Sequence, residues 1–258
     1  MPTAILVDGS FFLKRYRYLR GSATPDQVAK DMVWMCNEHL RDRSPSTGGK
    51  GSSKKRSLYR IFYYDCAPLT KRIQNPVSKK GIDLGKSATA IWRTSFFELL
   101  KRKRKVAIRL GYINGDSAEW KLSGKKLTKL LRGSTKLSEL KDEDVVYDAK
   151  QKGVDIRIGL DIASLAYKKQ VDQIVLVSGD SDFVPAAKLA RREGIDFILD
   201  PMWATIRSDL HEHIDGLRSA FPRDRQHQEP QGQNEQSAQN AGGDEFPATD
   251  TADPQTDN

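Results

Sequence analysis

Two uninterrupted apolar runs, each ending in acid, constrain this chain more than any other feature. Ile174-Val175-Leu176-Val177 leads through Ser178-Gly179 to Asp180 and Asp182, and Ala4-Ile5-Leu6-Val7 ends in Asp8 followed by Gly9. Short apolar runs of this kind suit strands buried on both faces, as in parallel sheets. Ligand sites in open α/β sheets form just beyond the carboxyl ends of such strands, where these acids would stand. Asp beside Gly at a strand end is also a common turn residue or helix N-cap. Two strands of one chain ending this way favour the functional reading. Carboxylates held close together repel, and the cation that suits an all-oxygen site is Mg²⁺ or Mn²⁺.

Further elements follow the same α/β rhythm. Phe11 to Arg20 and Thr24 to Arg41 have helical character, the second with Thr24 suited to N-cap and Pro25 to the first helical position. Ser57 to Asp65 reads as a second strand with another terminal acid, Lys105 to Tyr112 as a third, Ile174 to Val177 as the fourth and Ile195 to Leu199 as the fifth. Helices are expected at Ala90 to Lys101, Asp155 to Gln170, Phe183 to Glu193 and Thr205 to Ser219, the last on an Ile206, Leu210, Ile214, Leu217 stripe. Asp161 interrupts an apolar stretch of its helix, which is costly unless it is paired or bound to metal. Asp155, six residues earlier, falls on another face and reads as a first-turn acid. Residues 44–53 are Ser- and Gly-rich and read as a flexible loop.

Charge is unevenly distributed. The chain carries +9, yet Pro222 to Asn258 holds two arginines against eight acids, a net −6, which leaves +15 on residues 1–221. A body that basic favours polyanions, nucleic acid foremost. Lys101 to Lys105 is an unbroken basic run, and the stretch to Ser138 stays basic, suiting an excursion at about 101–138 that touches phosphates; the run is equally well a solvated helix end. Residues 222–258 are almost without apolar side chains and are expected to form a disordered acidic tail. No apolar stretch approaches the length of a membrane span, and Met1-Pro2-Thr3-Ala4 has none of the features of a signal peptide. With Cys36 and Cys66 lacking metal-type spacing, both read as reduced thiols of a cytoplasmic protein.

Taken together, Asp8-Gly9-Ser10, Tyr63-Tyr64-Asp65, Arg109-Leu110-Gly111, Lys152-Gly153-Val154-Asp155 with Asp161, and Ser178-Gly179-Asp180-Ser181-Asp182-Phe183 resemble the NYN domain in its LabA/DUF88 branch. The resemblance covers most of residues 1–215. It implies a three-layer PIN-like α/β fold, with a central parallel sheet flanked by helices and an acidic site at the carboxyl ends of the strands, and a domain over residues 1–221. It further implies a Mg²⁺- or Mn²⁺-dependent ribonuclease acting on RNA, single-stranded RNA favoured, by metal-activated water. Asp8, Asp161, Asp180 and Asp182 become the catalytic, metal-holding acids, with Asp155 in support. Ser10, Lys152, Ser178, Lys103 and Arg104 are candidate substrate contacts. Phe11 stands where many members have Asn. A non-catalytic nucleic-acid-binding or regulatory scaffold is the alternative function, and a phosphatase fits the basic body less well.

Overall fold

The computed structural model describes residues 2–41, 56–115 and 117–223; the 44–53 loop and the tail beyond 223 lie outside them. The chain runs β1 (Thr3–Asp8), α1 (Gly9–Arg20), α2 (Pro25–His39), β2 (Leu58–Cys66), β3 (Arg72–Gln74) and β4 (Gly81–Asp83). It continues α3 (Ala88–Lys101), β5 (Val106–Ile113), β6 (Glu119–Leu122), α4 (Gly124–Leu131), β7 (Val145–Asp148) and β8 (Gln151–Lys152). Then come α5 (Val154–Tyr167), β9 (Gln173–Val177), α6 (Val184–Arg192), β10 (Asp196–Asp200), α7 (Ser208–His211) and β11 (Gly216–Leu217).

Two compact units result. The larger, residues 2–67, 92–113 and 151–223, is built on a seven-stranded sheet of order β11-β10-β9-β1-β2-β5-β8, parallel except for the β5–β8 pair. Side chains alternate across it with the period of two that strands impose. Ile5, Val7, Ile61, Tyr63, Val175 and Val177 enter the core shared with α1, α2 and α3. Ala4, Leu6, Phe62, Tyr64, Ile174 and Leu176 enter the core shared with α5 and α6. All of β1 and β9 is buried, which is why both read as continuous apolar runs.

Helix ends follow local chemistry. Thr24 caps α2 by accepting a hydrogen bond from the Gln27 amide at 3.3 Å, with Pro25 in the first turn. Gly194 (φ +81°) terminates the α6 segment in the left-handed region open to glycine.

The expected helix over Thr205 to Ser219 is a correction: only α7 is helical, and β11 follows it. Ile206, Leu210 and Ile214 do pack on the α5/α6 core, which produces the helical spacing. Edge hydrogen bonding decides the backbone instead. Asp215 accepts from the Phe197 amide at 2.9 Å and from Arg191 Nε at 2.8 Å, and Gly216 and Leu217 pair with Ile198 and Leu199.

The smaller unit, residues 68–91 and 114–150, holds two antiparallel pairs, β3–β4 and β6–β7, and helix α4. Trp120 and Tyr147 face each other across β6 and β7 with ring centroids 5.3 Å apart. Much of the basic excursion is thus a small folded element rather than an open loop.

Candidate active site

In the sheet, β1 has β2 on one side and β9 on the other, and the chain winds away from it in both directions. The carboxyl ends of β1 and β9 therefore form the topological switch point, the place where α/β sheets open a crevice. Asp8 closes β1 there, and the Ser178 to Asp182 turn leaves β9 beside it.

Asp8 is buried, 7% exposed, and caps α1. Its Oδ1 accepts from the Ser10 amide at 3.1 Å, Ser10 Oγ at 3.0 Å and the Phe11 amide at 3.2 Å. Its Oδ2 accepts a long bond, 3.4 Å, from the buried Ser178 hydroxyl. Ser178 Oγ in turn accepts from the Asp180 amide at 3.3 Å, and Asp180 Oδ1 from the Asp182 amide at 3.0 Å, so the three strand-end acids hang on one short chain of hydrogen bonds. Burial pushes the Asp8 carboxyl up to about 6, opposed by its Ser10 and Phe11 bonds and reinforced by the neighbouring charges of Asp155 and Asp65.

Asp155 is the acid of α5 whose charge raises the Asp8 carboxyl, and Asp161 lies further along the helix. The reason is the direction of the helix. Its first turn sits at the carboxyl edge of the sheet, and six residues at about 1.5 Å each carry Asp161 roughly 9 Å back along the axis, over the sheet face. There Asp161 Oδ2 accepts from Tyr64 Oη at 2.7 Å and Arg109 Nε at 3.3 Å. Asp180 and Asp182 are exposed, and Asp182 lines one hollow together with Asp155.

Asp65, at the end of β2, is adjacent yet different. Strand alternation turns it to the α3 side, where Arg93 pairs with its Oδ1, Cys66 N donates to the same atom at 2.7 Å and Tyr63 Oη to Oδ2 at 3.1 Å. Its side chain is fully buried and its counterion is supplied by the protein. Sequence reading missed Arg93, 28 positions away, and no local pattern marks it.

Of the candidate substrate contacts, Ser10 and Ser178 both hold Asp8, and Lys152 is exposed in β8 immediately before α5, on the acidic edge. Lys103 and Arg104 are placed elsewhere. They precede β5, at the amino edge of the sheet, so the length of a strand, roughly 20 Å, separates them from the acids. Phe11 packs on the β9 turn: a Cβ added to Gly179 would lie 2.8 Å from its ring.

Among the described residues no three of His, Cys, Asp or Glu group closely enough to hold an ion by themselves. The donor set nevertheless fits a hard cation. Asp8 Oδ1 is saturated by three donors while Oδ2 carries a single long one, and a second carboxylate adds to its charge. Mg²⁺ in particular is held through one or two carboxylates plus water and substrate phosphate rather than by an all-protein cage.

A parallel sheet flanked by helices, with carboxylates at the carboxyl ends of its central strands, is the arrangement of the PIN-like nucleases. The model of the NYN domain matches residues 55–211, and the chain belongs to that family, part of the PIN-like nuclease superfamily. Asp8 precedes the matched residues; it is the pairing of β1 between β2 and β9 that brings it to the site. No curated protein matches the chain. A crystal structure of a protein of unknown function from Vibrio parahaemolyticus is similar at 16% identity and a TM-score of 0.43, over 85% of this chain and 94% of that one.

Proposed function

We propose that this NYN domain, of the LabA/DUF88 branch by its Lys152 to Phe183 motifs, is a Mg²⁺- or Mn²⁺-dependent ribonuclease that hydrolyses phosphodiester bonds of single-stranded RNA. The observation that carries the reading is Asp8: a buried carboxylate at the switch point, crowded by Asp155 and Asp65, whose charge is uncomfortable until a cation joins it. When bound, the divalent ion would supply Lewis acidity and lower the pKa of the attacking water.

The chain's own residues supply the rest. Asp8 and Asp155 are the principal ligands, with Asp180 and Asp182 completing the acidic rim from the β9 turn. Ser10, the Phe11 amide and Ser178 fix the Asp8 carboxylate, leaving Oδ2 the available oxygen. Lys152, exposed at the same edge, holds a substrate phosphate. Asp161 acts through Tyr64 and Arg109, fastening α5 to the sheet so that Asp155 stays beside Asp8. The +15 of residues 1–221 gathers the polyanion.

The test is labelled single-stranded RNA incubated with the purified protein, with and without EDTA, beside Asp8→Asn. Cleavage that needs the metal and is lost in the variant is expected. Equal cleavage in all three reactions overturns the reading, and RNA binding without cleavage in Mn²⁺ transfers the domain to the scaffold alternative.

A further inference from the structure

Between α5 and α6 lies a hollow of about 370 Å³. Ile156 and Gly159 form one wall and Pro185, Ala186 and Leu189 the other, with buried Phe183 also lining it. Small residues create the gap. Gly159 has no Cβ, one added there would meet nothing within 4 Å, and Ala186 opposes it from α6. Two features set the hollow apart from the scattered apolar exposure normal on protein surfaces. Ile156 is 69% exposed at its edge, an apolar side chain presented to solvent. Asp155 and Asp182, two of the acids at the proposed site, belong to the same lining.

A 370 Å³ concavity is many times the roughly 30 Å³ of one water and lies at the lower end of the sizes that hold ligands. A hollow open to solvent and lined mostly by apolar side chains suits a flat, largely apolar face. Because Asp155 and Asp182 belong to the same lining, an occupant of the hollow lies next to whatever group those carboxylates work on. The charged side chains of the lining are carboxylates, Asp155 and Asp182, so a strand reaches the hollow with its phosphate held there through the cation of the proposed site.

We infer that the α5/α6 hollow is a nucleobase slot: it takes one unstacked base of the RNA strand whose phosphate is at the acids. This rests on the ribonuclease reading and gives it a substrate form. A base inside a duplex cannot enter without being flipped out, so the slot selects unpaired nucleotides. Apolar contact with a base face is available to all four bases, so it selects strandedness rather than sequence.

The experiment measures affinity in Mn²⁺ on ice, over a time in which no label is cut, for a labelled single-stranded RNA oligonucleotide and for a series carrying one abasic residue at successive positions. Wild type is compared with Gly159→Phe, which fills the slot from a site with space for it, and with Ile156→Gln, which removes one wall at a residue already in solvent. Leu160→Phe, on the same helix but outside the hollow, serves as control, and melting temperatures check folding.

Gly159→Phe should weaken binding by up to about fivefold, the low end for loss of one base contact since the accessible walls are aliphatic, and Ile156→Gln by less. One abasic position should cost wild type a similar factor and cost Gly159→Phe nothing further. Binding and metal-dependent cleavage that are unchanged in both variants overturn the slot and leave the nuclease standing. A change of oligomeric mass in Gly159→Phe, with RNA affinity intact, makes the hollow a protein-binding surface and also overturns the inference. Wild type that neither binds nor cuts RNA removes both readings.

Discussion

The two ends of the parallel sheet carry acids, but they treat them in opposite ways. At the amino edge Arg56 reaches Asp172 at 3.5 Å and Asp196 at 3.7 Å, Gln173 donates to Asp196 at 2.6 Å, and Thr3 donates to Gln173 at 2.9 Å. Charge is matched there by charge, half in solvent. At the carboxyl edge Asp8 is buried, and the charges of Asp155 and Asp65 add to the cost of its own. Asp65 shows that the fold can supply a cation at that same edge, since Arg93 pairs with it one strand away. Neutralising one strand-end acid and leaving the next without a cation is what the proposed metal site requires, at a cost to stability.

The largest effect is expected at Arg93. Arg93→Ala would strand Asp65 in the core without its partner, a loss of about 3–5 kcal/mol for a buried pair. Urea denaturation measures it; a loss under about 1 kcal/mol would mean that Asp65 finds another partner or is protonated at neutral pH.

Asp8→Asn should do the reverse. In the folded protein Asp8 titrates near 6 against 3.8 unfolded, so the native state holds its proton more tightly. Below about pH 3 the carboxyl is protonated in both states and carries no penalty, which then builds as pH rises from the unfolded value to the folded one. As pH rises through 6 the folded state must bear a buried charge, and the roughly two pH units between the states correspond to about 3 kcal/mol. In EDTA the variant should therefore be more stable than wild type by up to about 3 kcal/mol at about pH 8, and equal to it below about pH 3. Saturating Mn²⁺ should stabilise wild type alone. A variant that is less stable than wild type in alkaline buffer would show that Asp8 is simply a helix cap.

Neutralising Lys101 to Lys105 sharpens the contrast from the amino edge. If the run touches RNA, affinity falls and the slope of log affinity against log salt flattens by about 0.7 for each phosphate the run no longer neutralises. The rate of cutting at saturating protein should hold, since a strand length separates the run from the acids. An unchanged slope identifies a solvated turn. The smallest effect belongs to Arg56→Gln: its half-exposed pairs should contribute less than about 1 kcal/mol, and less still in high salt.

What could be read in the sequence follows from burial. β1, β2 and β9 announce themselves because buried parallel strands need continuous apolar side chains, and α2 because Thr24 and Pro25 mark its start. The β3–β4 and β6–β7 pairs were illegible: their strands are three or four residues long and at most half-buried, so apolar spacing says little. At the site, the strand-end acids are visible as residue types next to glycine. Which acid of α5 approaches them depends on helix direction, and their counterions depend on long-range packing. His39 illustrates the limit, a buried histidine whose Nε2 meets Asp200 Oδ2 at 2.7 Å across 161 positions.

Cys36 and Cys66 are both fully buried free thiols, the first in the core beneath α1 to α3 and the second in the core beneath α5 and α6. A sheet therefore stands between them, and each becomes reactive only when its own layer opens. Alkylation by a thiol reagent, followed by mass spectrometry of the two peptides, turns this pair into a clock for each half of the sandwich. Equal labelling rates would describe a sheet body that opens as one cooperative unit; faster labelling of Cys66 would locate the looser layer on the side that carries the acids.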